Sequence, residues 1–325
     1  MLDRRRLLAA PALIGLAGPA IAQGAPWPSR PVRLIIPWPP GQATDLAGRI
    51  IADRLTQAFG QPFVAENRPG AGGMIGTDLA AKAAPDGYTL LAASTGPIVT
   101  APLVQRTTYN AERDFAEVAI TGISAYLLVV PPNFPARTAE EFVALVRARP
   151  GHYTFSSSGT GATAHVVAAW FHALAGLDVV HVPFAGSGPA LTAVIGGHVS
   201  YSIETLAATW PLIRNGQLRA LGVSFARGSM LAPEVPPLAR LPGCAGFDAG
   251  AWIGVMAPAG TPTPILERLD VEIARAMGDT EFRDRLAHAG LEPIHHNRES
   301  MRAYIAAQRE GFRTAIRAAN IRIEG

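Results

Sequence analysis

Residues 155–165 read FSSSGTGATAH: a short apolar run ends, glycines and hydroxyls follow, and Val166 to Leu174 continue with helical apolar spacing. Three more stretches share this layout of strand end, Gly/Ser/Thr turn and helix start: PWPPGQATD (37–45), STGPIVT (94–100) and PFAGSGPA (183–190). In open α/β sheets such turns lie at the carboxyl ends of strands, where ligands bind. Helix N-termini there present unpaired N–H groups and the positive end of a dipole, both suited to an anion. None of the four stretches contains Lys or Arg. A polyphosphate site normally brings a cation, so the pattern points instead to a carboxylate. Three or four charge-assisted hydrogen bonds give roughly 5–12 kcal/mol gross, against about 8 for micromolar affinity, before association losses.

Working outward, VRLII (32–36), FVAEN (63–67) and YTLLAAS (88–94) alternate with helical segments, as do YTFSSS (153–158), DVVHVPF (178–184) and HVSYSIE (198–204). In 43–60, Ala47, Ile51, Leu55 and Ala58 share one helical face and Gly60 supplies a stop. Strands alternating with helices predict mainly parallel sheets covered on both faces. WIGVMAPAGTP (252–262) is read as the last strand, followed only by helices. Such a tail cannot complete a domain alone, so it is expected to fold back on the first half. The division is then 27–126 plus 248–325 for one lobe and 127–247 for the other.

The 325 residues, 49% hydrophobic and 16% charged, suffice for large cores. The first 22 residues read as an export signal: basic Arg4-Arg5-Arg6, an apolar stretch from Leu7 to Leu16, and small residues ending at Ala22. The arginine order also fits a twin-arginine signal. Without that segment the 28 basic and 25 acidic residues come close to balance, which excludes a footprint for nucleic acid or an anionic membrane. The lone Cys244 forms no internal disulfide and reads as a small packed hydrophobe.

The same residues bear on other chemistries. Gly159 to Ala164 matches G-x-G-x-x-A, but the next strand ends in Pro183 and Phe184 rather than an acidic residue, as a dinucleotide site needs. A serine hydrolase would use one of Ser156, Ser157 or Ser158 with His165 as base, yet no G-x-S-x-G elbow surrounds them. An exported hydrolase or dinucleotide-dependent oxidoreductase using the 156–164 loop is the alternative to binding. His295-His296, and His165 with His172, lack ligand spacing, so no metal is expected. Asp45 either caps its helix or faces the cleft, and Glu204 is a base, a cleft residue or a cap.

Several long motifs stand in one order: PWPPGQATDLAGR, ENRPGAGGMIGTDLAAKAAPDGYTLL, SSSGTGATAH, VPFAGSGPA, GQLRALGVS and WIGVMAPAGTP. In these the chain resembles the extracytoplasmic solute-binding proteins of tripartite tricarboxylate transporters, the Bug family, from about Trp27 nearly to the end. The resemblance implies a two-lobed, type II-like periplasmic binding fold, a Venus flytrap. It also implies a non-enzymatic, monomeric receptor without cofactor that delivers a small organic acid to a large and a small membrane subunit. By position, a carboxylate clamp falls on Pro39, Pro40, Gly41, Gln42, Ala43, Thr44 and Asp45 in one lobe. In the other it falls on Ser158, Gly159, Thr160, Gly161, Ala162 and Thr163. Ser94, Thr95, His165, Phe184, Ala185, Gly186 and Glu204 complete the candidate set. Three positions depart from the family pattern: Gln42 replaces glycine, Ala185 lysine and Glu204 aspartate.

Overall fold

The computed structural model describes residues 27–318; the export-signal reading of residues 1–22 lies outside them. The first half opens with β1 (Val32–Ile36), α1 (Ala43–Phe59), β2 (Phe63–Asn67), α2 (Met74–Ala81) and β3 (Thr89–Ser94). A π-turn over Gly96–Thr100 runs into the short α3 (Ala101–Val104), and then comes the long β4 (Phe115–Val130). The second half holds α4 (Ala139–Arg147), β5 (Thr154–Ser157), α5 (Thr163–Ala175), β6 (Val180–Pro183), α6 (Ser187–Ile195), β7 (Tyr201–Thr205), α7 (Leu206–Arg214) and β8 (Arg219–Val223). The chain returns through β9 (Gly250–Pro258), α8 (Thr263–Gly278), α9 (Thr280–His288), β10 (Glu292–His296) and α10 (Arg298–Ala318).

Local chemistry explains α1. Ala47, Ile51 and Leu55 are buried on one face, whereas Ala58 is exposed. Gly60 ends the helix at φ 66°, a left-handed conformation that glycine adopts without strain, and returns its N–H to Thr56. β3 and, apart from the exposed Arg33, β1 are buried runs covered by helices, as parallel strands require.

β1, β2 and β3 are parallel, and so are β5, β6 and β7. The strands that connect these blocks run against them. β9 is antiparallel to both β3 and β4, and β4 is antiparallel to β7 and β8. Each sheet is therefore mixed, because a chain crossing between lobes must enter the second sheet opposite to its grain. The 16-residue β4 makes this crossing: Phe115 to Ala125 pair with β9, and Tyr126 to Val130 pair with β7 and β8. At the crossing, Ser224 Oγ accepts from the Tyr126 N–H (2.9 Å) and donates to Ala249 O (2.5 Å), tying the outward strand to the returning one.

The tail is not all helix, as the sequence had suggested. Glu292 to His296 form β10 on β4 with an irregular register, and Pro293 disguises so short a strand. α8 and α9 pack on α1, while α10 packs on β4 and α5, so the tail touches both sheet blocks. No helix among the described residues is long and apolar enough to cross a membrane.

Candidate functional site

Four helices begin at one small cavity of about 30 Å³: Ala43 of α1, Thr163 and Ala164 of α5, Ser187 of α6, and Thr205 just before α7. Trp38, Gln42, Thr44, Ser94, Gly96, Tyr126, Ser158, Glu204 and Ala251 complete its wall. None of these four helices has a side-chain bond from its N-cap residue, Gln42, Ala162, Gly186 or Thr205. By contrast, α4 and α9 are capped by Thr138 and Asp279. First-turn N–H groups thus stay available at the cavity, except that in α7 the Ala207 N–H donates to Ser124 Oγ (3.4 Å). None of the described lining residues is Lys or Arg.

The two main loops are braced by one device. Gly41 donates its N–H to Asp45 Oδ2 (3.0 Å), and Gly161 donates its N–H to His165 Nδ1 (3.2 Å). In each case the third helical residue reaches back over the N-cap, as in a capping box, and the glycine takes a left-handed φ, 85° and 73°. Asp45 is further held by Arg49 Nε (3.0 Å) and Asn67 Nδ2 (2.8 Å), while Asn67 also donates to Trp38 O (2.9 Å). Its carboxylate is therefore directed into the loop and does not line the cavity. Asp45→Ala removes the buried acceptor of three part-buried hydrogen bonds and is expected to lower stability by about 2 kcal/mol, as well as weakening binding. Urea unfolding of the unliganded protein checks this; an unchanged midpoint would leave Asp45 no bracing role.

The loops also touch across the lobes. Thr100 Oγ1 donates to Gly161 O (3.3 Å) and lies 3.3 Å from Thr163 Oγ1. Gly186 approaches Pro39 and Gln42, and Gly72 approaches Thr160. Above these contacts an outer groove of about 520 Å³ shares Trp38 and Ser158 with the inner cavity. Its wall includes Pro39, Met74, Gly159, Thr160, Phe184, Ala185 and Gly186.

The candidate residues thus divide. Gln42, Ala43, Thr44, Ser94, Ser158, Thr163 and Glu204 line the inner cavity; Pro39, Ser158, Gly159, Thr160, Phe184, Ala185 and Gly186 line the groove. Pro40, Gly41, Asp45, Thr95, Gly161, Ala162 and His165 line neither. Thr95 instead accepts the Trp252 N–H at 2.9 Å. Trp38 and Ser187 lie inside the glycine-rich loops that the sequence marks, whereas Tyr126 and Ala251 lie within apolar strands that carry no loop signal.

The serines do not assemble a nucleophile with His165. Ser156 Oγ donates to Ala190 O (3.1 Å), and Ser157 Oγ pairs with His181 Nε2 (2.7 Å) and with the Gly159 backbone, fully buried. His165 stacks on His181 with ring centroids 4.0 Å apart. Glu204 Oε2 accepts from Ser187 Oγ (2.8 Å) and, more weakly, from the Thr205 N–H (3.4 Å). Burial raises the Glu204 carboxyl above the usual range, with Ser187 and Ser158 partly offsetting it.

The family model for the tripartite tricarboxylate transporter family receptor matches residues 47–321. The chain belongs to that family. Protein BugT of Bordetella pertussis is 35% identical over 308 residues, which cover 94% of each protein. R. palustris Rpa4515, solved with adipate, is 32% identical with a TM-score of 0.86, covering 90% of this chain and 98% of that one. MatC (Rpa3494) from Rhodopseudomonas palustris with bound malate is 29% identical with a TM-score of 0.82, covering 89% and 100%. Receptors of this family are periplasmic solute-binding proteins. The hydrolase and oxidoreductase alternatives accordingly fall away.

Proposed function

We propose that this receptor captures a small organic acid between its lobes, its carboxylate held at the inner cavity by first-turn N–H groups of α1 and α5. The observation that carries this reading is the meeting of four uncapped helix N-termini, from both lobes, at one cavity whose described lining has no basic side chain. Each N-terminus contributes roughly half a positive charge, up to about 2 kcal/mol for an anion in a partly buried site. The lobes, 27–126 with 248–325 and 127–247, move as two bodies about the crossing at Tyr126 and Ser224. Solute enters through the outer groove, and its differential affinity for the closed form shifts the open–closed equilibrium. The closed receptor, a monomer exported to the periplasm, presents the solute to a large and a small membrane subunit. The acids named with Rpa4515 and MatC, adipate and malate, support a carboxylate as the ligand class.

A thermal-shift screen of organic acids tests the reading, together with mass spectrometry of whatever co-purifies. At least one carboxylate is expected to raise the unfolding midpoint without being turned over. Stabilisation by nucleotides alone, or by no acid at all, would refute it.

A further inference from the structure

Two polar atoms in residues lining the inner cavity have no hydrogen-bond partner: Glu204 Oε1, at the end of β7, and Gln42 Nε2, at the N-cap of α1. Both residues are at least nine-tenths buried, with 1% and 9% exposure. Among the other polar side chains of the wall, Ser94 is engaged by Trp38, Thr163 by Thr100 and Ser187 by Glu204 itself, and Ser158 also bears on the Glu204 carboxyl. A buried donor or acceptor left unpaired carries a desolvation penalty, so the two orphans specify complementary groups on a guest. Gln42 asks for an acceptor and Glu204, in its ionised form, for a donor, from opposite sides of one cavity.

A plain carboxylate answers only the first demand. A dicarboxylate would set a second anion near Glu204, with no basic side chain among the described lining residues to offset either. A protonated amine answers Glu204, and Trp38 and Tyr126 line the same cavity, where aromatic rings favour a cation. The other Glu204 oxygen is already fixed by Ser187 and Thr205, so Oε1 is held in place to receive a donor. We propose that the solute is an aminocarboxylate, its carboxylate on the α1 and α5 side beside Gln42 and its protonated amine on Glu204 Oε1. This rests on the carboxylate-receptor reading and narrows it to one class.

The test is calorimetry on the intact receptor with short α-, β- and γ-amino monocarboxylates. Each is paired with the acid lacking the amine and with the dicarboxylate of equal chain length. At least one amine-bearing acid is expected to bind about tenfold or more tightly than both of its partners, a difference of about 1.4 kcal/mol. Glu204→Gln, which keeps the side-chain volume, should abolish that preference, so that the amine-bearing acid no longer binds more tightly than the plain one. The wild-type comparison stands even if the variant does not fold. Tighter binding of the dicarboxylate, or a preference that survives Glu204→Gln, would overturn the proposal while leaving the receptor reading intact. Failure of every acid to bind would overturn both.

Discussion

Gly186→Ala is expected to weaken solute binding by about tenfold to a hundredfold. Gly186 sits at φ 126° and ψ 170°, a region open essentially to glycine alone, at the N-cap of α6. A methyl group there would lie 2.8 Å from Gln42 Nε2 and 3.1 Å from Pro39 Cγ, both on the opposite side of the cleft. Closure would have to displace them, and overpacking of this kind costs about 1–3 kcal/mol. Each 1.4 kcal/mol withdrawn from the closed form is about a tenfold loss in affinity. Gly188→Ala supplies the control, since that glycine meets nothing within 4 Å and has no left-handed φ. Calorimetric titration with a stabilising acid separates the two variants. Parental affinity in Gly186→Ala would mean that the cleft does not close on Gln42.

The second large effect concerns acid. His165, His172 and His181 surround Phe155 in the second lobe, and burial pushes their imidazoles down from 6.5 to about 4, 3 and 3. The folded protein keeps them neutral, whereas the unfolded chain protonates them below about 6.5. Their contribution is therefore fully present above that pH and is lost as pH falls from 6.5 toward 4. Each ring adds up to about 1.4 kcal/mol per pH unit to the slope, less for the more accessible His181. Glu204, whose carboxyl is raised, acts in the opposite direction and offsets part of the loss. The loop is affected too, because a protonated His165 Nδ1 can no longer accept the Gly161 N–H. The unfolding midpoint should fall steadily below pH 6.5, and proton NMR should show the three rings still neutral at pH 5.5. Rings that titrate near 6.5 would contradict the buried stack.

What the sequence made legible was the chemistry of turns. Gly41 and Gly161 stand where left-handed backbone is needed, and the lack of lysine and arginine in the four glycine-rich loops recurs in a cavity wall with no basic side chain among the described residues. Loop residues are readable because glycine, proline and hydroxyls at strand ends have few other uses. Tyr126 and Ala251 were not readable: they lie in buried strands, and only the crossing of β4 and β9 between lobes brings them to the cavity. Asp45 was ambiguous for a different reason. A carboxylate in the first turn of a helix can face outward or backward, and its direction was decided by Asn67 on β2, distant in sequence. The antiparallel strands were hidden likewise, because a buried apolar run does not disclose its direction.

A crystal structure of the receptor with a stabilising acid tests the central claim most directly. The carboxylate oxygens should lie about 2.7–3.2 Å from first-turn N–H groups of α1 and α5, or one ordered water away, with no guanidinium in contact. A carboxylate paired with an arginine, or seated away from those two helix starts, would contradict it.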